Sequence, residues 1–286
     1  MSISSSRLFQ LFKYAVYALL TANIFFFYFE ESAAAPLQFP DGVGLHNLRA
    51  AYSATIDTIA WVILLLMFEL ETWVLHDESF TRRVTFTLHT LRALCYIAIL
   101  MAFAGYFEDM QFVSDTVAFA DVSDLCALPP GEWSWSYTFG EYMPITAANC
   151  ATLSEAGTFL QFRDIQAIVD PAGWTEIVRL AWADVINAGT WILVVLVLEV
   201  DVRLQEHNLY EGWALRISTV IKAILYTTLL VVAIYWGFNG DFVDFWDAFL
   251  WLVAFVFIEL NVFEWRAAEN AALAEVATGK DQELVS

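Results

Sequence analysis

Three glutamates, Glu69, Glu199 and Glu259, each lie eight residues after a tryptophan inside an otherwise apolar run. Carboxylates in such surroundings can pair with a buried base, hold a proton or attract a cation. Aligned without gaps, the three runs read DTIAWVILLLMFELE from Asp57, NAGTWILVVLVLEVD from Asn187 and DAFLWLVAFVFIELN from Asp247. One pattern covers them, [DN]-x3-W-x7-E-[LV]-[EDN]. It also aligns Trp61, Trp191 and Trp251 and, at its last position, Glu71, Asp201 and Asn261.

Eleven uncharged residues separate the first polar position from the glutamate in each copy. As helix they cover only ~16 Å of a hydrocarbon layer roughly 30 Å thick. The polar groups must therefore enter the membrane, where Asp and Glu are too short to snorkel, and so they should face the interior of a helix bundle. Positions 57 and 71 fall about 40° apart around a helix, whereas 69 and 71 fall about 160° apart. Each helix thus offers two polar faces with different neighbours.

Partners for the glutamates come from a weaker echo, [KR]-x3-Y, at Lys13, Arg92 and Lys222, each followed by a second tyrosine at Tyr28, Tyr106 or Tyr235. Three ion pairs, one per hairpin, would join these bases to Glu69, Glu199 and Glu259. That leaves Asp57, Asn187 and Asp247 at one end of the shared face, and Glu71, Asp201 and Asn261 at the other, as the expected lining of a cation or proton pathway. Trp61, Trp191 and Trp251, one turn inside the first set, mark either an interface belt or a ring of indoles narrowing the path.

The elements that position these residues follow from composition. Of 286 residues, 59% are hydrophobic, well above the roughly 45–50% of soluble domains. Apolar segments near spanning length recur at 12–29, 52–75, 91–107, 177–200, 217–238 and 242–263. The expected fold is an all-α integral membrane protein of six transmembrane helices, arranged as three repeated helical hairpins about a pseudo-threefold axis. Helices 1–3 would occupy 1–107, a small extracytoplasmic cap 108–176, helices 4–6 177–265 and a cytoplasmic tail 266–286. Arg7, Lys13, Arg82, Arg83, Arg203 and Arg266 then share one side, which puts both termini in the cytoplasm of an inner or plasma membrane. A cleavable signal peptide ending at the SAAAP stretch is rejected, because its apolar core takes part in the repeat.

The cap segment carries Cys126 and Cys150, which could form a disulfide only outside the cytoplasm. Within it, residues 132–139 alternate as a strand would, and 153–169 show amphipathic helical spacing with Ser154 as N-cap. Arg163 is the only basic residue among many acids there, so the cap suits cations or a protein partner.

The net charge of −20 excludes nucleic acid as a partner. His76 and His207 follow Glu71 and Asp201 at unequal spacings, so no metal site is expected. Nucleophile elbows, phosphate loops and dinucleotide glycines are missing, and neither catalysis nor a cofactor is expected. Two functions remain: moving small cations or protons through an acidic bundle interior, and serving as a non-transporting membrane scaffold or accessory subunit, alone or as a homo-oligomer, whose intramembrane charges are structural.

Overall fold

The computed structural model describes residues 3–71, 81–120, 122–129, 131–206, 212–239 and 242–255. Glu259 and Asn261, with His76, His207 and the tail, lie outside the described residues. Among the described residues, eight α-helices and five short strands follow in order. They are α1 (Ile3–Gln38), α2 (Leu48–Ala51), α3 (Ser53–Glu69), α4 (Arg82–Ser114), β1 (Thr116–Ala118), β2 (Ser134–Thr138), β3 (Glu141–Pro144), α5 (Cys150–Ser154), β4 (Leu160–Phe162), β5 (Ala167–Val169), α6 (Pro171–Glu206), α7 (Trp213–Asn239) and α8 (242–255).

Four of these helices, α1, α4, α6 and α7, are long and apolar enough to cross a membrane. Their cores are apolar, but unlike a water-soluble bundle they are apolar on the outside too. On α1 the buried stripe holds Lys13, Val16, Tyr17, Leu20 and Asn23, while Leu8, Leu11, Phe12, Phe25, Phe26 and Phe29 stand exposed. An unpartnered apolar face beside a partly polar buried one suits hydrocarbon as solvent. The expected segment 52–75 is described as far as Glu71, as the 17 residues of α3 and a continuing helical turn at 70–71, and runs past the described residues. The segment 242–263 runs past the described part of α8.

The helices close a ring, and specific contacts mark each step. Lys13 of α1 meets Glu69 of α3, and Arg92 of α4 meets Glu71 just past the end of α3. Phe103 of α4 packs on Gly189 of α6, Lys222 of α7 meets Asp201 of α6, and Phe245 of α8 packs on Gly237 of α7. Asn23 of α1 donates to Asp247 of α8 at 2.7 Å, closing the circuit. One approach is tight enough to demand glycine: a Cβ on Gly105 of α4 would lie 2.2 Å from the carbonyl oxygen of Arg49 in α2.

Between α4 and α6 the chain builds a cap that departs from the all-α expectation. Its five strands form one sheet in the order β1-β4-β5-β2-β3, antiparallel except for the β2–β5 pair. The alternation at 132–139 becomes β2, as expected. The amphipathic helix expected over 153–169 does not form; only its first two residues are helical, as the end of α5, and β4 and β5 follow. Two short apolar runs, Leu160–Phe162 and Ala167–Val169, flank a reversal at Arg163 and Asp164, where Asp164 takes a positive φ of 67°. Such a turn returns the chain as a hairpin, and the strand pairing that results outweighs a weak helical period. Ser154 is not an N-cap: its hydroxyl accepts from the Leu125 amide at 2.8 Å and donates to the Cys150 carbonyl.

Cys126 and Cys150 form a disulfide. Phe162, Ala167 and Val169 pack with Met110 of α4 and Ile177 of α6, and Trp174 donates its indole N–H to the Val113 carbonyl at 3.0 Å. The cap is thus one body with the ends of the long helices.

Candidate functional site

The first polar positions of the repeat meet at the cap end of the bundle. Asp57, Asn187 and Asp247 all line one cavity among α1, α3, α4, α6, α7 and α8, with a volume of about 120 Å³. At roughly 10–15 Å³ per water molecule, that is room for several. Glu30, Glu31, Asp109, Asp184 and Asp244 line it as well, so seven carboxylates surround this space and, among the described residues, no lysine, arginine or histidine does. Phe139 and Gly140, at the tip of the β2–β3 turn, reach into its mouth.

The three repeat tryptophans form the floor. Trp61 lies 6.3 Å from Trp191 and 6.2 Å from Trp251 between ring centres, and Trp191 lies 4.5 Å from Phe255, the two rings tilted by 40°. Trp61 also donates its indole N–H to Asp57 at 3.0 Å, a contact that the i, i+4 spacing of the repeat makes available in every copy. Beneath the floor lies a second, mostly apolar cavity, bounded by Trp61, Trp251 and Phe255 from above and by Arg92 and Tyr96 toward the far end. The indoles separate the two spaces.

The carboxylates that sequence reasoning missed extend the repeat by three residues. Asp184 and Asp244 precede Asn187 and Asp247 at the same offset, which places them one turn nearer the cap. The first copy has Ala54 there, and Glu31 of α1 brings a carboxylate to the same place. It accepts from the Ala54 and Thr55 amides at 2.7 and 3.2 Å and from the Thr55 hydroxyl at 2.6 Å. These amides open α3 and have no partner within that helix, so Glu31 caps it from a neighbouring segment. Reading the pattern upstream would have found Asp184 and Asp244; nothing in the spacing points to Glu31, Glu30, Asp109 or Asn23.

At the far end the pairing differs from the one expected. Lys13, only 2% exposed, does meet Glu69 at 2.5 Å. Arg92, however, donates from Nη2 to both carboxylate oxygens of Glu71, at 2.7 and 2.9 Å, rather than pairing with Glu199. Lys222 donates to Asp201 at 2.8 Å, alongside the Ser218 hydroxyl at 2.6 Å. Glu199 stands exposed and pairs along its own helix with Arg203 at 3.0 Å. The reason is the angular separation of the two acidic positions. Glu69 at the end of α3 faces α1, while Glu71, in the wider helical turn that follows, faces α4. Glu71 and Asp201 are thus held by basic groups and do not continue an open acidic path.

Comparison with protein-family models, curated proteins and solved structures finds no match.

Proposed function

We propose that this chain is a multi-pass membrane protein that takes small cations or protons into its acidic cavity and passes them across the tryptophan floor. One observation carries the reading: seven carboxylates line a space for several water molecules inside a helix bundle, with no basic residue among the described lining. Repulsion among Glu31, Asp57, Asp109 and Asp247 in a poorly screened interior is relieved by bound protons or a cation. In this reading all six apolar segments cross the bilayer as three hairpins related by a pseudo-threefold axis, on which Trp61, Trp191 and Trp251 meet. The cap faces outward, the termini lie in the cytoplasm, and the acidic cap concentrates cations above the mouth.

Purified protein in liposomes, challenged with proton, sodium and potassium gradients, tests this. Wild type should show flux that Asp57→Asn and Asp247→Asn each reduce about tenfold or more, the loss of one essential charged group. No flux under any gradient removes the transport reading.

A second reading draws on the far end. There Glu69, Glu71 and Asp201 all engage bases, and the indoles close the interior. Such a bundle suits a scaffold whose buried pairs fix one arrangement of helices and whose acidic cap docks a basic protein partner.

A further inference from the structure

Rings line the cavity as prominently as carboxylates do. Trp61, Trp191 and Trp251 close its floor, and Trp236 of α7 and Tyr106 of α4 stand in its walls. Aromatic faces attract weakly hydrated organic cations, whereas bare metal ions are held by converging oxygen, nitrogen or sulfur ligands. Among the described residues, no three carboxylate, histidine or cysteine side chains are grouped to hold a metal ion. The volume of about 120 Å³ limits the guest. A cavity of roughly 150 Å³ admits a benzene ring, so the occupant has only a handful of non-hydrogen atoms.

Two further atoms say what else it carries. Trp236 is 3% exposed, and its indole Nε1 has no hydrogen-bond partner among the described residues. On the adjacent α6, the Asn187 Oδ1 atom is also buried without one. Both residues line the cavity. A buried donor or acceptor left unmet costs about 1–3 kcal/mol, so such atoms mark where an occupant bonds. The donor needs an oxygen on the guest, and the acceptor needs an N–H or O–H. Asn187 stands where the other two copies of the repeat have Asp57 and Asp247, so the three equivalent positions differ in charge.

We propose that the cavity binds a small organic ammonium ion that also bears a hydroxyl, chemically an amino alcohol. Its cationic head meets Asp57 and Asp247 over the indoles of Trp61 and Trp251, and its hydroxyl accepts from Trp236 and donates to Asn187. This rests on the reading of the cavity as a cation site.

Purified protein in detergent, titrated at constant ionic strength and followed by thermal unfolding and tryptophan fluorescence, tests the proposal with choline, tetramethylammonium and sodium chlorides. Choline should bind saturably and raise the unfolding temperature, with tetramethylammonium roughly fivefold to tenfold weaker for want of the hydroxyl and sodium without a saturable effect. Trp236→Phe should bring choline down to tetramethylammonium; if that variant does not fold, the wild-type comparison decides by itself. Equal binding of choline and tetramethylammonium would overturn the hydroxyl subsite, which water then fills. Sodium acting as strongly as choline would overturn the organic ligand and leave the cation site standing. No response to any of the three, together with no flux of protons or cations in liposomes, removes both readings.

Discussion

Trp61 donates its indole N–H to the carboxylate of Asp57, one turn back along α3, at 3.0 Å. The bond fixes an aromatic ring at the boundary between two cavities, edge-to-face against Trp251. Because Trp61 lines both spaces, its size keeps them apart and its N–H keeps Asp57 satisfied. The two roles separate by mutation. Trp61→Phe keeps most of the ring and should cost about 0.5–1.5 kcal/mol for one lost hydrogen bond, since Tyr106 also bonds Asp57. Trp61→Ala should cost roughly 3–5 kcal/mol, as large-to-small core changes do, and join the cavities. Cation leak into liposomes should therefore rise in the alanine variant and not in the phenylalanine one; equal leak in both would show that the ring is no barrier.

Glu31 makes a second separable contribution, since its three bonds to Ala54 and Thr55 substitute for an N-cap that the sequence of α3 lacks. Glu31→Ala should lower stability by about 1–2 kcal/mol, the usual worth of a lost cap. Glu31→Gln retains an acceptor oxygen and should lose less than half of that. Denaturation in mixed micelles measures both, and identical losses would mean that the charge matters more than the cap.

Gly105 is a test of packing alone. The 2.2 Å approach of a new Cβ to the Arg49 carbonyl oxygen meets backbone, which cannot rotate away. Gly105→Ala should destabilise by about 1–3 kcal/mol through overpacking, and an unchanged unfolding midpoint would mean that α2 shifts freely against α4.

How far the sequence carried these conclusions follows from the kind of signal each element leaves. The repeat exposed Asp57, Asn187, Asp247 and the three tryptophans because a spacing of four residues on a helix is a statement about one face. Pairing was harder to read. Depth along the membrane brought Lys13, Arg92 and Lys222 level with two acids per helix, and depth does not say which side of the helix each base approaches. The 160° between Glu69 and Glu71 held that information, but only the neighbour order α1–α3–α4 converts it into Lys13–Glu69 and Arg92–Glu71. The cap strands β4 and β5 were obscured because three-residue strands are too short to display a period, so a helical reading of 153–169 met no local contradiction except the turn at Asp164.

The Lys13–Glu69 pair invites a double-mutant cycle. With Lys13 at 2% and the Glu69 side chain at 9% exposure, removing either partner strands a buried charge, at a cost of about 3–5 kcal/mol. Lys13→Met together with Glu69→Gln removes both charges and should recover most of that loss. Additive losses would mean that the two side chains do not depend on one another.

The cap supplies a test outside the membrane. The Arg163 guanidinium donates to Asp115 at 2.6 Å and holds its carboxyl below the ordinary value of 3.8. A depressed folded-state value adds stability above the unfolded-state value and loses it as pH falls through the folded-state one. The stability difference between wild type and Asp115→Asn should therefore be constant at neutral pH and shrink only below about pH 4. Both partners are about half exposed, so added salt should shrink it too. Because β1 and β4 pair beside this contact, with Thr116 opposite Phe162, hydrogen exchange at those two strands is the measurement that isolates it. An Asp115→Asn effect that did not shrink at all between about pH 4 and about pH 2 would mean that shape, and not charge, joins the end of α4 to the sheet.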